Sequence, residues 1–264
     1  MINKQIEFFR KKGYCIVNLF TKNEINELKN KVSNRLAQLA KGKRKSLAID
    51  RDLGNYHKID ISDEVHALLV NSASRYISIN EKIINKIIST ESVINILQDN
   101  WGHTNFTINW VGASQYNQVE ENKVGFRLAR PYTIAPRDVG GEHLDIFYST
   151  LTKDRGIVSS GKNYFLTLWT PLIGFSEKYT LRLAPGSHLI SHPMSAIIKQ
   201  NEYISPVLSK QYLRKFKFIR PRLKKGQAIL FHPFLIHGAS INHGQKTRVS
   251  VEFRLFNSES DNWN

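Results

Sequence analysis

The chain has 264 residues, 41% of them hydrophobic and 11% aromatic, enough for one large core in a single domain. Its 38 Lys and Arg against 22 Asp and Glu leave a formal net charge of +16, which beyond solubility favours nucleic acid, anionic lipid or small anionic substrates. Cys15 is the only cysteine, which excludes an internal disulfide; no run approaches the roughly 18 apolar residues of a membrane span, and with no secretory leader visible a cytoplasmic protein is expected.

In chain order, residues 2–12 read as a short amphipathic helix with Ile6, Phe8 and Phe9, ended by Gly13. Residues 14–20 are a β-rich run. Thr21 and Glu24 then make a capping box for a helix to about Ala40, with Ile25, Leu28, Val32, Leu36 and Leu39 at helical spacing. After a basic linker at 41–45, residues 56–60 suggest a short strand, and Asp63 a cap for a helix through Leu69. Residues 81–98 read as one or two helices packed on a sheet. From Phe106 the pattern changes to period 2, with strands at 106–110, 114–116, 142–148, 164–169, 180–183, 216–218, 227–231 and 247–256. The order predicts a mainly β protein with flanking helices: a sandwich or jelly roll with helical support over 1–100 and its core over 101–264.

Within the strand series, Gly140-Gly141-Glu142-His143-Leu144-Asp145 offers an imidazole and a carboxylate two residues apart, on one face of a strand. A second His from a later strand would complete a two-His, one-carboxylate face with open positions opposite. That suits non-haem Fe(II) working with O2. His237 fits, because it closes the largely apolar stretch 229–236 and precedes Gly238. His232 is the rival, set aside because Pro233 suits a turn; His188 reads as structural. Zinc accepts the same ligands, so the choice falls on a cosubstrate anchor. The electron donor 2-oxoglutarate needs a buried Arg for its far carboxylate. Arg248 lies 11 residues after His237 across a short turn at 242–245. It is expected on the next antiparallel strand beside the metal strand, with Ser250 facing the same way and Val249, Val251 and Phe253 the other.

With these residues assembled, the chain resembles the phytanoyl-CoA dioxygenase family of Fe(II)/2-oxoglutarate oxygenases. The motifs are Gly13-Tyr14 with the helix around Asn23–Leu28, Gly141–Asp145, Leu168–Leu172, Leu181–His188, His237–Ser240 and Arg248–Ser250. The resemblance implies a double-stranded β-helix, Fe(II), and 2-oxoglutarate split to succinate and CO2. It assigns His143, Asp145 and His237 to iron, Arg248 to the far carboxylate, and Trp169 to an aromatic beside the cosubstrate, which a core role explains equally well. Asp145 stands where halogenating relatives carry a small residue, which points to hydroxylation. Two departures stand out: a long segment at 146–163, read as a lid or insertion, and Glu177–Thr180 in place of a shorter turn.

Arg127, Arg130 and Arg137 crowd what reads as a loop before the ligands, where a basic rim would suit an anionic substrate; Tyr116 is a candidate donor to cosubstrate or substrate. Two rival readings stay open. Arg248 and Arg254 reproduce an Arg-X5-Arg spacing of AlkB-type nucleic-acid dealkylases, although the N-terminal opening and Pro-Gly-Ser-His do not fit that family. The other is a non-enzymatic cupin-like metal- or ligand-binding module. The substrate and the oligomeric state are not legible.

Overall fold

The structure, a computed structural model, describes residues 2–40, 52–59, 62–69, 75–111, 119–136, 138, 141–145, 157–158, 165–193, 196–200, 203–238 and 241–259. Helix α1 (Ile2–Lys12) ends at Gly13, whose φ of +76° glycine adopts freely. A Cβ there would lie 2.5 Å from Nδ1 of His188, so only glycine lets the chain turn against that ring. Strand β1 (Tyr14–Asn18) follows. The capping box forms as expected: Thr21 N–H donates to Glu24 Oε2 at 2.7 Å and starts α2 (Lys22–Ala40). The helix buries Ile25, Leu28, Val32 and Leu36 completely, each contributing about 1.5–3 kcal/mol of apolar transfer.

The strand expected at 56–60 is instead a 3-10 turn, Leu53–Lys58. The Asp52 carboxylate accepts from Gly54 N–H and starts the turn, and the Tyr56 hydroxyl, buried beneath it, meets His66 Nδ1 at 3.0 Å. Helix α3 (Asp63–Leu69) is capped by Ser62, whose hydroxyl accepts from Val65 N–H, and not by Asp63. After β2 (Tyr76–Ser78), residues 81–101 form two helices, α4 (Glu81–Ile88) and α5 (Glu91–Trp101), broken at Ser89-Thr90.

Then come β3 (Phe106–Val111), β4 (Val119–Glu121), β5 (Lys123–Ala129), β6 (Ile157–Val158), β7 (Phe165–Ile173), β8 (Arg182–Leu183), β9 (His192–Pro193), β10 (Ala196–Gln200) and β11 (Tyr203–Val207). The short helix α6 (Lys210–Leu213) leads to β12 (Gln227–Phe231), β13 (His237–Gly238) and β14 (Arg248–Asn257). Residues 216–218, read as a strand, are irregular: Phe216 closes a turn after α6, and pairing begins only at Ile219, opposite Leu183. The strand expected at 142–148 is, over its described residues 142–145, a single bridge at His143; residues 114–116, 146–148 and most of the 146–163 segment lie outside the described residues.

An eight-stranded antiparallel sheet runs β1-β12-β7-β14-β3-β4, with β5 beside β14 and β2 beside β5. The first hundred residues thus supply two strands, β1 and β2, as well as helices. One face of this sheet packs Leu166, Leu168, Phe126, Leu128, Val249, Val251, Phe253 and Leu255 against the helices in one core. Against the other face lies a short second layer: β8 pairs with β13, and single bridges add His143 and Ile219. This is a jelly-roll sandwich buttressed by helices, and the site lies between its layers. No helix among the described residues is long and apolar enough to cross a membrane.

Candidate metal centre

The His-X-Asp segment is held by the short layer. His143 N–H donates to His237 O at 2.8 Å, His237 N–H returns a bond to His143 O at 3.0 Å, and Asp145 N–H donates to Pro233 O at 3.0 Å. The two remote segments are therefore locked in register before any side chain is considered. Close approach is needed here: a Cβ on Gly238 would sit 3.2 Å from Glu142 Cα.

The side chains then converge. One ligand atom each from His143, Asp145 and His237 lies within 4.8 Å of the others. Asp145 Oδ1 is 3.5 Å from His237 Nε2 and 3.9 Å from His143 Nε2. Both rings set Nδ1 2.9 Å from a backbone carbonyl, Gly141 O for His143 and Leu235 O for His237. Those contacts assign the proton to Nδ1, which leaves both Nε2 lone pairs aimed inward. Two lone pairs and a carboxylate oxygen facing one small space call for a cation between them, so the donor set fits a metal.

The charge environment agrees. Burial, with the nearby His237, pushes His143 down to about 4, so its ring is neutral and ready to ligate at neutral pH. Burial alone would raise Asp145, yet the positive charges of His237 and Arg254 hold it below the usual carboxylate range. Burial likewise disfavours charge on His237, but Asp145 outweighs it and the ring's pKa is raised, so a metal at its Nε2 would take the place of a proton held there toward Asp145. Thr167 Oγ1 donates to Asp145 Oδ2 at 2.6 Å, which leaves Oδ1 as the oxygen facing the two imidazoles.

Arg248 is buried at 2% exposure, and its Nη1 donates to Tyr179 O at 3.2 Å. Burial and the like charge of Arg127 pull the guanidinium down to about 10, which still leaves it cationic at neutral pH. It does not stand beside the metal strand as expected. β13 pairs with β8, whereas β14 pairs with β7, β5 and β3 in the large sheet. The chain crosses from one layer to the other between His237 and Arg248, so the two residues belong to opposite layers of the sandwich. Arg248 and Ser250 share a face, as read, while Val249, Val251 and Phe253 join the helix-side core. The Ser250 hydroxyl is buried with no hydrogen-bond partner among the described residues, an acceptor and donor available to a bound group. Trp169, opposite Glu252 in register, is buried between the layers with Leu183, Ile229 and Phe231.

The basic rim is only partly where the sequence put it. Arg127 is on β5, not a loop; it pairs in register with Ser250, and its Nε lies 3.6 Å from Glu252 Oε2. Arg130 is committed elsewhere: its guanidinium bonds both oxygens of Asp138 at 2.8 Å and Asp63 at 2.9 Å, tying α3 to the segment that precedes the ligands. Arg137 and Tyr116 lie outside the described residues. His188 and His232 stay out of the centre; their rings lie against each other, tilted by 50°, with centroids 5.2 Å apart, and His188 Nε2 meets Arg10 O.

Sequence reasoning missed Thr167 and Glu252 as site residues, and noted Arg254 only by its spacing from Arg248 in the AlkB-type reading. Arg254 Nη2 lies 3.0 Å from Glu252 Oε1 and 3.7 Å from Asp145 Oδ1. The available signal was the run Arg248, Ser250, Glu252, Arg254, polar at every second position of a strand that is apolar at the others.

Residues 9–250 match the phytanoyl-CoA dioxygenase family (PhyH). Among solved structures, the chain is similar to SnoK, a non-haem α-ketoglutarate-dependent carbocyclase from nogalamycin biosynthesis, with 12% identity, 97% of this chain and 83% of that one covered, and a TM-score of 0.54. It is similar to EctD from S. alaskensis, solved with 2-oxoglutarate and 5-hydroxyectoine, with 16% identity, coverage of 96% and 75%, and a TM-score of 0.53. It also resembles AviO1 from Streptomyces viridochromogenes, with 12% identity, coverage of 98% and 96%, and a TM-score of 0.53. At such identities these likenesses establish the fold. No curated protein matches the sequence.

Proposed function

The chain belongs to the phytanoyl-CoA dioxygenase family, matched over residues 9–250, and from that membership we propose that it hydroxylates a small, anionic organic substrate. The family makes it a 2-oxoglutarate-dependent non-haem iron enzyme; the hydroxylation, the substrate class and the residue roles are our reading. The observation that carries it is the inward convergence of His143 Nε2, His237 Nε2 and Asp145 Oδ1, with the buried Arg248 on the facing layer.

In this reading His143, Asp145 and His237 hold Fe(II) on one side and leave the opposite positions open. Arg248 receives the far carboxylate of 2-oxoglutarate through its planar fork, and the Ser250 hydroxyl adds a hydrogen bond. Trp169 packs beside the cosubstrate, and the apolar walls of Leu183, Ile229 and Phe231 exclude water. Bound iron and 2-oxoglutarate together supply O2 activation, releasing succinate and CO2 as oxygen enters a C–H bond of the substrate. The retained Asp145 carboxylate supports hydroxylation, since it fills the position a halide would need. Arg127, 29% exposed at its side chain on the same inner face, is the cation best placed to meet an anionic substrate.

Anaerobic addition of Fe(II) and 2-oxoglutarate should give a weak charge-transfer band near ~500 nm, from chelation at the open positions. Succinate release, screened over anionic metabolites, should rise above its uncoupled level with the true substrate class. No band, or full 2-oxoglutarate turnover by His143→Ala, would remove the proposal.

A further inference from the structure

The site contains two buried carboxylates, and only one of them faces the imidazoles. Asp145 is 1% exposed and Glu252 7%. Both approach the same atom, Arg254 Nη2, at 3.7 Å from Asp145 Oδ1 and 3.0 Å from Glu252 Oε1. Arg254 is itself buried at 2% exposure. It stands opposite Thr167 in the β14–β7 register, with its guanidinium carbon 5.7 Å from the centre of the Phe165 ring. Glu252 has a second cation, Arg127, but at the longer distance of 3.6 Å. Glu252 and Arg254 alternate on the inner face of one strand, so neither can leave the site without breaking the pairing of β14.

A carboxylate this close to a two-His, one-carboxylate face is a hazard. Glutamate is a good ligand for divalent cations, and a fourth protein donor would close a position that a chelating cosubstrate needs. We propose that Arg254 is a positioning residue that selects which carboxylate ligates: it withholds Glu252 from the metal and steers Asp145 to present Oδ1 alone. Thr167 completes the selection by occupying Asp145 Oδ2. Without Arg254, Glu252 loses its shortest ion pair, retains the 3.6 Å contact to Arg127, and can turn toward the imidazoles. This rests on the metal assignment above and concerns a different question: how the open positions are kept open.

The test uses Arg254→Met, Arg254→Lys, Glu252→Gln and the Arg254→Met/Glu252→Gln double variant of the full chain. Co(II) titration without cosubstrate reads the coordination environment from its d–d spectrum, and anaerobic Fe(II) with 2-oxoglutarate reads chelation. Arg254→Met should still bind Co(II) but with a changed d–d spectrum, and should bind 2-oxoglutarate at least tenfold more weakly. The added Glu252→Gln should restore the spectrum and recover most of that loss in cosubstrate affinity, which is of the roughly 10–100-fold size expected when an outer contact to a metal site is removed. Arg254→Lys, which keeps a cation for Glu252, should lie between. A double variant as impaired as Arg254→Met, or an Arg254→Met protein with the parent's spectrum and affinity, overturns the inference. Should Arg254→Met not fold, a Glu252→Gln protein that does not tolerate Arg254→Met either decides the same way. Failure of the parent itself to bind Co(II) counts against the metal assignment, whereas the ratio between single and double variants reports only on Arg254.

Discussion

The two faces of β14 differ although both are buried. Toward the helices it presents Val249, Val251, Phe253 and Leu255, each 0% exposed in the main apolar core. Toward the short layer it presents Arg248, Ser250, Glu252 and Arg254, at 0–7% exposure. The first face gains free energy from every methylene it hides. The second pays desolvation for three charges and recovers only part of it through pairing. A strand that a stability argument alone would make apolar on both sides is half given over to charge. The excess cost marks the face turned toward the candidate metal centre, and it teaches that core and candidate site here are separated by the thickness of one strand.

Substitutions on either side should break or sharpen that contrast. The largest effect is expected from His237→Ala, across from the polar face: high-affinity metal binding should vanish in a Co(II) titration while the metal-free protein melts within a few degrees of the parent. Retained stoichiometric binding would mean that the three donors are not the centre. Phe253→Ala, on the apolar face, should cost about 3–5 kcal/mol in denaturant unfolding, with the metal affinity of the folded protein unchanged. If it weakened the metal instead, the faces would not be separable. Arg248→Met should do the reverse: lose about 2–5 kcal/mol of 2-oxoglutarate binding by calorimetry, yet leave the unliganded protein no less stable.

The smallest effect lies outside both faces. Burial, with His188 nearby, pushes His232 down to about 3, below its ordinary value near 6.5. Above pH 6.5 the ring is neutral folded or unfolded and contributes no pH dependence. As pH falls below that, the unfolded chain takes the proton first, so stability drops progressively until the folded value is reached. Between pH 7 and pH 5 the loss should be about 1–2 kcal/mol, and His232→Gln should remove it from the pH profile of unfolding. An unchanged profile would place the acid sensitivity elsewhere.

Much of this site could be read from the chain. His143 and Asp145 share a face by simple alternation, and His237 ends an apolar stretch before a glycine. Arg248 follows by spacing, but its neighbours did not, because a short turn suggests a hairpin and the chain instead changes layers. Glu252, and the place of Arg254 beside Asp145, stayed hidden for a related reason. A strand alternating polar and apolar reads as half in solvent, and nothing local says that a second layer covers the polar side. Arg127 was misplaced because β5 carries glycine and arginine within a short run, while its partner β14 lies more than a hundred residues on. The 3-10 turn at Leu53–Lys58 depends on the Tyr56–His66 contact, which periodicity does not encode.

The position of β14 has a further consequence. It is synthesised after every other strand of the large sheet, yet it lies in the interior, between β7 on one side and β3 and β5 on the other. Until residue 257 has left the ribosome, the sheet exists as three pieces, β1-β12-β7, β3-β4 and β5-β2, with bare edges facing a missing keystone, and the same late segment brings Arg248. A nascent or truncated chain lacking it has no continuous sheet and exposes unpaired edges, so it should be a substrate for chaperones and proteases.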